Sequence, residues 1–96
     1  MSNYDLVQSH RAEIIHIAAK YGAHNIRLFG SAARREDDQQ SDIDFLVDLE
    51  PGRTLLDLGA VLMDLRDLLG VEVDVITPKS LKSRIRARVM KDASPL

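Results

Sequence analysis

Cysteine and tryptophan are absent from this 96-residue sequence, and aromatic residues make up only 4% of it. Without thiols there is no disulfide and no thiolate zinc site, and nothing points to an oxidising compartment. So few rings cannot furnish the base-stacking platforms of single-strand nucleic-acid binders. No apolar run approaches membrane-spanning length, and the opening MSNYDLVQSH lacks the basic-then-apolar pattern of a signal peptide. A strong excess of one charge is missing too: the formal net charge is −2, which gives no global pull toward nucleic acid or an anionic membrane. These absences lead to the expectation of a cytoplasmic protein with no membrane contact and no direct nucleic-acid contact. What is present, 45% apolar residues, suffices for one modest core, so a single domain over residues 1–96 is expected.

Hydrophobic periodicity divides the chain into elements. Val7, Ile14, Ile17, Ala18 and Tyr21 recur at helical spacing, predicting a helix over 5–21 with Ser2 or Asn3 as cap and Gly22 as stop. Residues 25–29 read as a strand with Ile26 and Leu28 on one face. Ser31–Arg35 can form one helical turn, and Glu36–Ser41, with no apolar residue, reads as a solvated loop. Residues 43–49 alternate as a second strand, and Pro51-Gly52 signals a turn. Thr54 caps a predicted helix to about Leu69, whose apolar face is Leu55, Leu58, Leu62, Leu65 and Leu69, widened by Val61 and Leu68. Residues 71–76 alternate as a third strand. Ser80 to about Asp92 reads as a last helix with Leu81, Ile85 and Val89 as its apolar stripe and basic residues elsewhere. His10, His16 and His24 share no metal-ligand spacing and read as surface or cap histidines. This order argues for an α/β (α+β) fold, a small mixed β-sheet with helices packed on one face.

The chemistry concentrates between Phe29 and Asp48, in FGSAARREDDQQSDIDFLVD. Asp42 and Asp44 stand at i and i+2 at a strand start, so their carboxylates project from one face. Such a pair grips a hard cation from one side, and Mg²⁺ prefers one or two carboxylates with waters and substrate phosphates. Gly30-Ser31, just after a strand, offers backbone N–H groups and a hydroxyl to a polyphosphate. Asp74, between valines in the third strand, converges on Asp42 and Asp44 if its strand neighbours theirs. Nucleotidyl transfer from a nucleoside triphosphate fits these parts, since two Mg²⁺ ions roughly 3.5–4 Å apart stabilise the attacking and leaving oxygens of an in-line displacement.

Gly30-Ser31, ten intervening residues and Asp42-x-Asp44 resemble the G-S-x₁₀-D-x-D signature of the minimal nucleotidyltransferases in the DNA polymerase β-like superfamily. The stretch GVEVDVITPKSLKSRIRARVMKDA is similar to the family's third-Asp strand and final helix, so the likeness runs over roughly residues 5–92. The resemblance implies Gly30 and Ser31 as the nucleotide-binding pair and Asp42, Asp44 and Asp74 as the catalytic, metal-ligating carboxylates. It also implies two Mg²⁺ ions as cofactors and ATP as substrate. Larger members append domains that choose an acceptor, whereas this chain resembles the stand-alone MNT-domain antitoxins of HEPN/MNT toxin–antitoxin pairs. That likeness implies a HEPN-domain ribonuclease toxin as partner in a hetero-oligomer, silenced by transfer of AMP onto a tyrosine. Two other functions compete: a non-catalytic antitoxin that masks its toxin by contact, and a nucleotidyltransferase acting on a small molecule or RNA. Three converging carboxylates favour the enzyme. The wide apolar face over 54–69 and the basic helix over 80–91 are the candidate docking surfaces.

Overall fold

Alternation in IDFLVDL makes β2 (Ile43–Leu49) the centre of the molecule: Ile43, Phe45 and Val47 are fully buried on one face, while Asp44 and Asp48 emerge on the other. The computed structural model describes residues 2–30 and 42–96, so the predicted turn at Ser31–Arg35 and loop at Glu36–Ser41 lie outside the described residues. Around β2 is a four-stranded mixed sheet in the order β3-β2-β1-β4. β1 (Ala23–Phe29) runs antiparallel to β2, β3 (Val73–Ile76) runs parallel to β2, and a short β4 (Ser94–Pro95) runs antiparallel to β1. The predicted mixed sheet is therefore present, with a two-residue edge strand that apolar periodicity does not announce.

Helices α2 (Arg11–Lys20) and α3 (Leu55–Leu69) cover the apolar face, where Ile14, Ala18, Val61, Leu65 and Leu69 join Ile26, Leu28, Phe45, Val47, Val73 and Val75 in one core. α3 begins as predicted: the Thr54 hydroxyl accepts from Leu56 N–H at 3.2 Å, and the Asp57 carboxylate accepts from Thr54 N–H at 3.0 Å. It ends at Gly70, whose φ of 69° is left-handed, a conformation glycine adopts without strain. Its buried line is Val61, Leu65 and Leu69, whereas Leu55 at its start is 80% exposed. The predicted apolar face is thus turned about the axis and opens to solvent in its first turn.

The single N-terminal helix expected over 5–21 is instead two. α1 (Asn3–Ser9), capped by Ser2 as expected, ends at His10, and α2 starts at Arg11. The Ser9 hydroxyl and the His10 ring both bond the Leu6 carbonyl, at 2.8 and 3.1 Å. Polar side chains that return to the backbone compete with the helical ladder, and here they break it. The last helix is also shorter than expected: Pro78–Ser80 forms a 3₁₀ turn, and α4 spans Ser83–Asp92. None of its residues is buried, so Ile85 and Val89 do not form a core stripe. Among the described residues, no helix is long and apolar enough to cross a membrane.

Candidate functional site

Parallel pairing of β2 with β3 sets Asp44 opposite Asp74, in register with Ile43 opposite Val73 and Phe45 opposite Val75. Paired residues share a face, so both acids point away from the valine-rich core, and Asp42 joins them two positions back. The expected convergence of three carboxylates on one sheet face is present. Asp44 is half-buried, whereas Asp42 and Asp74 are exposed. Burial, together with the charges of Asp74 and Asp42, pushes the Asp44 carboxyl up to about 6.

Several other acids are matched. Asp48 receives Arg27 Nη2 at 2.9 Å and Asn25 Nδ2 at 3.0 Å; Asp64 receives the Tyr21 hydroxyl at 2.9 Å; Asp57 caps α3. Among the described residues, Asp42, Asp44 and Asp74 form no ion pair. Grouping like charges without a cation is unfavourable, and the charges of Asp74 and Asp42 add to burial in raising the Asp44 carboxyl. Such an arrangement calls for an external cation.

Gly30 follows β1 with φ 74°, and a Cβ there would lie 2.6 Å from Asp44 Oδ2. Glycine is thus required twice over, by backbone conformation and by the space the carboxylate occupies. Ser31 lies outside the described residues. Among those residues no three His, Asp or Glu groups close into a metal-ligand cluster. Mg²⁺ does not need one, because it is held by one or two carboxylates together with waters and substrate phosphates. Hard oxygen donors on one face, left uncovered by Gly30, fit that ion. The three histidines stand elsewhere: His10 closes α1, His16 is exposed on α2, and His24 pairs with Glu50.

Sequence reasoning missed Arg27. A bulge in β1 between His24 and Arg27, with Asn25 at φ 51°, shifts the strand by one residue so that Arg27 lies opposite Leu46 on the acidic face. Arg27 is 7% exposed; besides Asp48 it donates through Nη1 to the Met90 sulfur at 3.9 Å, and its buried Nε has no partner. The signal was an arginine between Ile26 and Leu28, which places a cation opposite the apolar face. An open depression of about 560 Å³, bordered by Asp48, Pro51, Arg53, Thr77 and Lys79, lies at the far end of β2 from Asp42 and Asp44. Its lining contains none of the three unpaired carboxylates.

Residues 13–95 match the family model described as "Nucleotidyltransferase domain". The chain is 40% identical over 83 residues to a Methanocaldococcus jannaschii protein named "Putative protein adenylyltransferase MJ0435", covering 86% of this chain and 89% of that one. It is 34% identical over 87 residues to "Protein adenylyltransferase MntA" of Thermococcus cleftensis, covering 91% and 85%. A solved structure described as a "putative minimal nucleotidyltransferase" is similar with a TM-score of 0.89 and 40% identity, covering 100% of this chain and 97% of that one. A crystal structure of a toxin–antitoxin with AMP-PNP shares the fold, with a TM-score of 0.74 at 21% identity, covering 88% of this chain and 69% of that one.

Proposed function

This chain belongs to the nucleotidyltransferase-domain family, and we propose that it is a type VII-like antitoxin that moves AMP from ATP onto a tyrosine of a cognate HEPN-domain ribonuclease toxin, silencing it. The observation that carries this reading is the in-register pairing of Asp44 with Asp74, with Asp42 on the same face and no cation matching any of them among the described residues. The relative named as the protein adenylyltransferase MntA supports a protein acceptor. The shared fold of a toxin–antitoxin structure with AMP-PNP is consistent with an adenine nucleotide and a toxin partner.

In this mechanism Asp42, Asp44 and Asp74 would together hold two Mg²⁺ ions. Bound there, the ions supply charge neutralisation to the attacking and leaving oxygens. Gly30 and Ser31 hold the β- and γ-phosphates, Gly30 by keeping the approach to Asp44 clear of a side chain. Asp74 orients the tyrosine hydroxyl and takes its proton. The tyrosine oxygen bonds to the α-phosphorus of ATP, the bond from that phosphorus to the bridging oxygen breaks, and pyrophosphate leaves. Positioning and electrostatics do the work, with no covalent enzyme intermediate. An anionic AMP on the toxin repels RNA phosphates and fills space near its active site. Residues 1–96 act as one catalytic unit, in the cytoplasm where ATP and RNA are available.

The test is mass spectrometry of the HEPN protein after incubation with this protein, ATP and Mg²⁺, with Asp42→Ala/Asp44→Ala as control. One or more AMP units added by the wild type and none by the control is the expected result. A silenced toxin with no added mass would replace the enzyme by a binding antitoxin; AMP on RNA or a small molecule alone would replace the acceptor.

A further inference from the structure

Two surfaces stand out once the acidic face is accounted for, and their positions decide between them. Leu55 and Leu56 are 80% and 86% exposed, but they open α3, which packs on the opposite face of the sheet. They also follow the C-terminal end of β2, the end away from Asp42 and Asp44. A partner seated on them would sit behind the sheet, remote from the carboxylates.

α4 lies on the acidic side. It connects β3 at one sheet edge to β4 at the other, and Met90 reaches Arg27 on the face that carries Asp44. Its exit leads to the carboxylate end: Ser94 pairs with Leu28, and the next residue of β1, Phe29, pairs with Asp44. The segment 75–91 holds six Lys or Arg residues and no Asp or Glu, within a chain of net charge −2. Arg86 is engaged by the Pro78 and Leu81 carbonyls, at 2.9 and 3.1 Å. Arg84, Arg88 and Lys91 recur at i, i+4 and i+7 and so form one stripe; all three are exposed, and none has an ion pair among the described residues. Ile85, 42% exposed, adds apolar surface at the same helix.

We propose that the α4 stripe of Arg84, Arg88 and Lys91 docks an acidic surface of the protein that receives AMP and guides its hydroxyl to Asp74. The proposal rests on the reading that the acceptor is a protein. Unmatched cations attract an anionic partner and set its register; their helix lies on the carboxylate side of the sheet, with the stripe turned outward from Met90, so a partner held there approaches the acidic face from solvent. Ile85 gives an apolar contact that suits a protein surface better than a sugar–phosphate backbone. The scarcity of aromatic residues also disfavours RNA.

The experiment compares wild type with Arg84→Glu/Arg88→Glu/Lys91→Glu, using MgATP binding and thermal melting as fold controls. AMP transfer to the HEPN protein is followed at about 0.05 and 0.5 M salt. The reversal should raise KM for the acceptor about tenfold or more, leave kcat within about twofold, and remove the increase of KM with salt seen in wild type. An unchanged KM with intact MgATP binding overturns the proposal. So does loss of binding to a labelled single-stranded RNA, or of self-association, while KM for the protein stays as in wild type. Should the triple variant melt early, the single reversals at Arg84, Arg88 and Lys91 are read by the same KM ratio. If wild type adds no AMP to the toxin, the proposed function fails on its own, and sedimentation of the toxin complex then tests the surface. A complex that the reversal dissociates supports docking at α4; one that survives it overturns the proposal.

Discussion

The two faces of β2 serve opposite ends within seven residues. Ile43, Phe45 and Val47 are fully buried against α2 and α3 and supply the apolar contacts that hold the sheet. One residue out of phase, Asp42 and Asp44 meet Asp74 without a matching cation among the described residues. Removing a group from the first face should lose stability; neutralising Asp44 on the second should gain it. The difference teaches that alternation in a strand lets an electrostatically unfavourable site sit directly on the core that compensates for it.

The sharpest way to break that comparison is at its centre. Phe45→Ala removes a fully buried ring from the apolar face and should lower stability by about 3–5 kcal/mol, a large share of what a domain of this size has. Urea unfolding checks it; a loss of under about 1 kcal/mol would mean that the core does not rest on this strand. Next in size is Gly30→Ala, at the edge of the acidic face. A methyl group at 2.6 Å from Asp44 Oδ2, on a backbone at φ 74°, must displace the carboxylate. Misplacement of about 1 Å is enough to slow transfer about 10²-fold, while the melting temperature should change by only a few degrees. Steady-state transfer beside a thermal melt separates the two effects, and a normal rate would show that the Asp44 carboxylate tolerates displacement.

Much of this was legible in the sequence because it rests on local rules. The bounds of β2 follow from its alternating acids and apolar residues between a polar stretch of sequence and Pro51, and those of α3 from Thr54 as cap and Gly70 as stop. The clustering of Asp42, Asp44 and Asp74 was legible on one condition, that β3 lie next to β2, and the pairing meets it. What escaped depends on competition or on distant partners. The break at His10 arises because side chains of Ser9 and His10 compete for the Leu6 carbonyl, which apolar periodicity does not register. The β1 bulge is set by Asn25 in a left-handed conformation and bonded to Asp48, a partner 23 positions away. β4 has only two residues and no pattern of its own, and α4 carries a helical repeat whose apolar side finds little to pack against.

The smallest effect is the one that distinguishes the faces by sign. The Asp44 carboxyl is raised from 3.8 to about 6, chiefly by burial and then by Asp74 and Asp42, so folding disfavours its charged form. Below about pH 3.8 the group is protonated in both the folded and the unfolded chain and no penalty applies. The penalty grows as pH rises and is complete above about 6. In full, such a displacement amounts to about 3 kcal/mol, and solvent screening at a half-exposed side chain reduces it to about 1–2 kcal/mol. Asp44→Asn should therefore melt a few degrees above wild type at pH 8 in a chelator, and the gap should close toward pH 4. Mg²⁺ with ATP should narrow or reverse the gap at pH 8, because only wild type keeps the full set of carboxylates for the ion to stabilise. A variant that melts at or below wild type in chelator at pH 8 would remove the contrast, leaving Asp44 as an ordinary solvated strand acid.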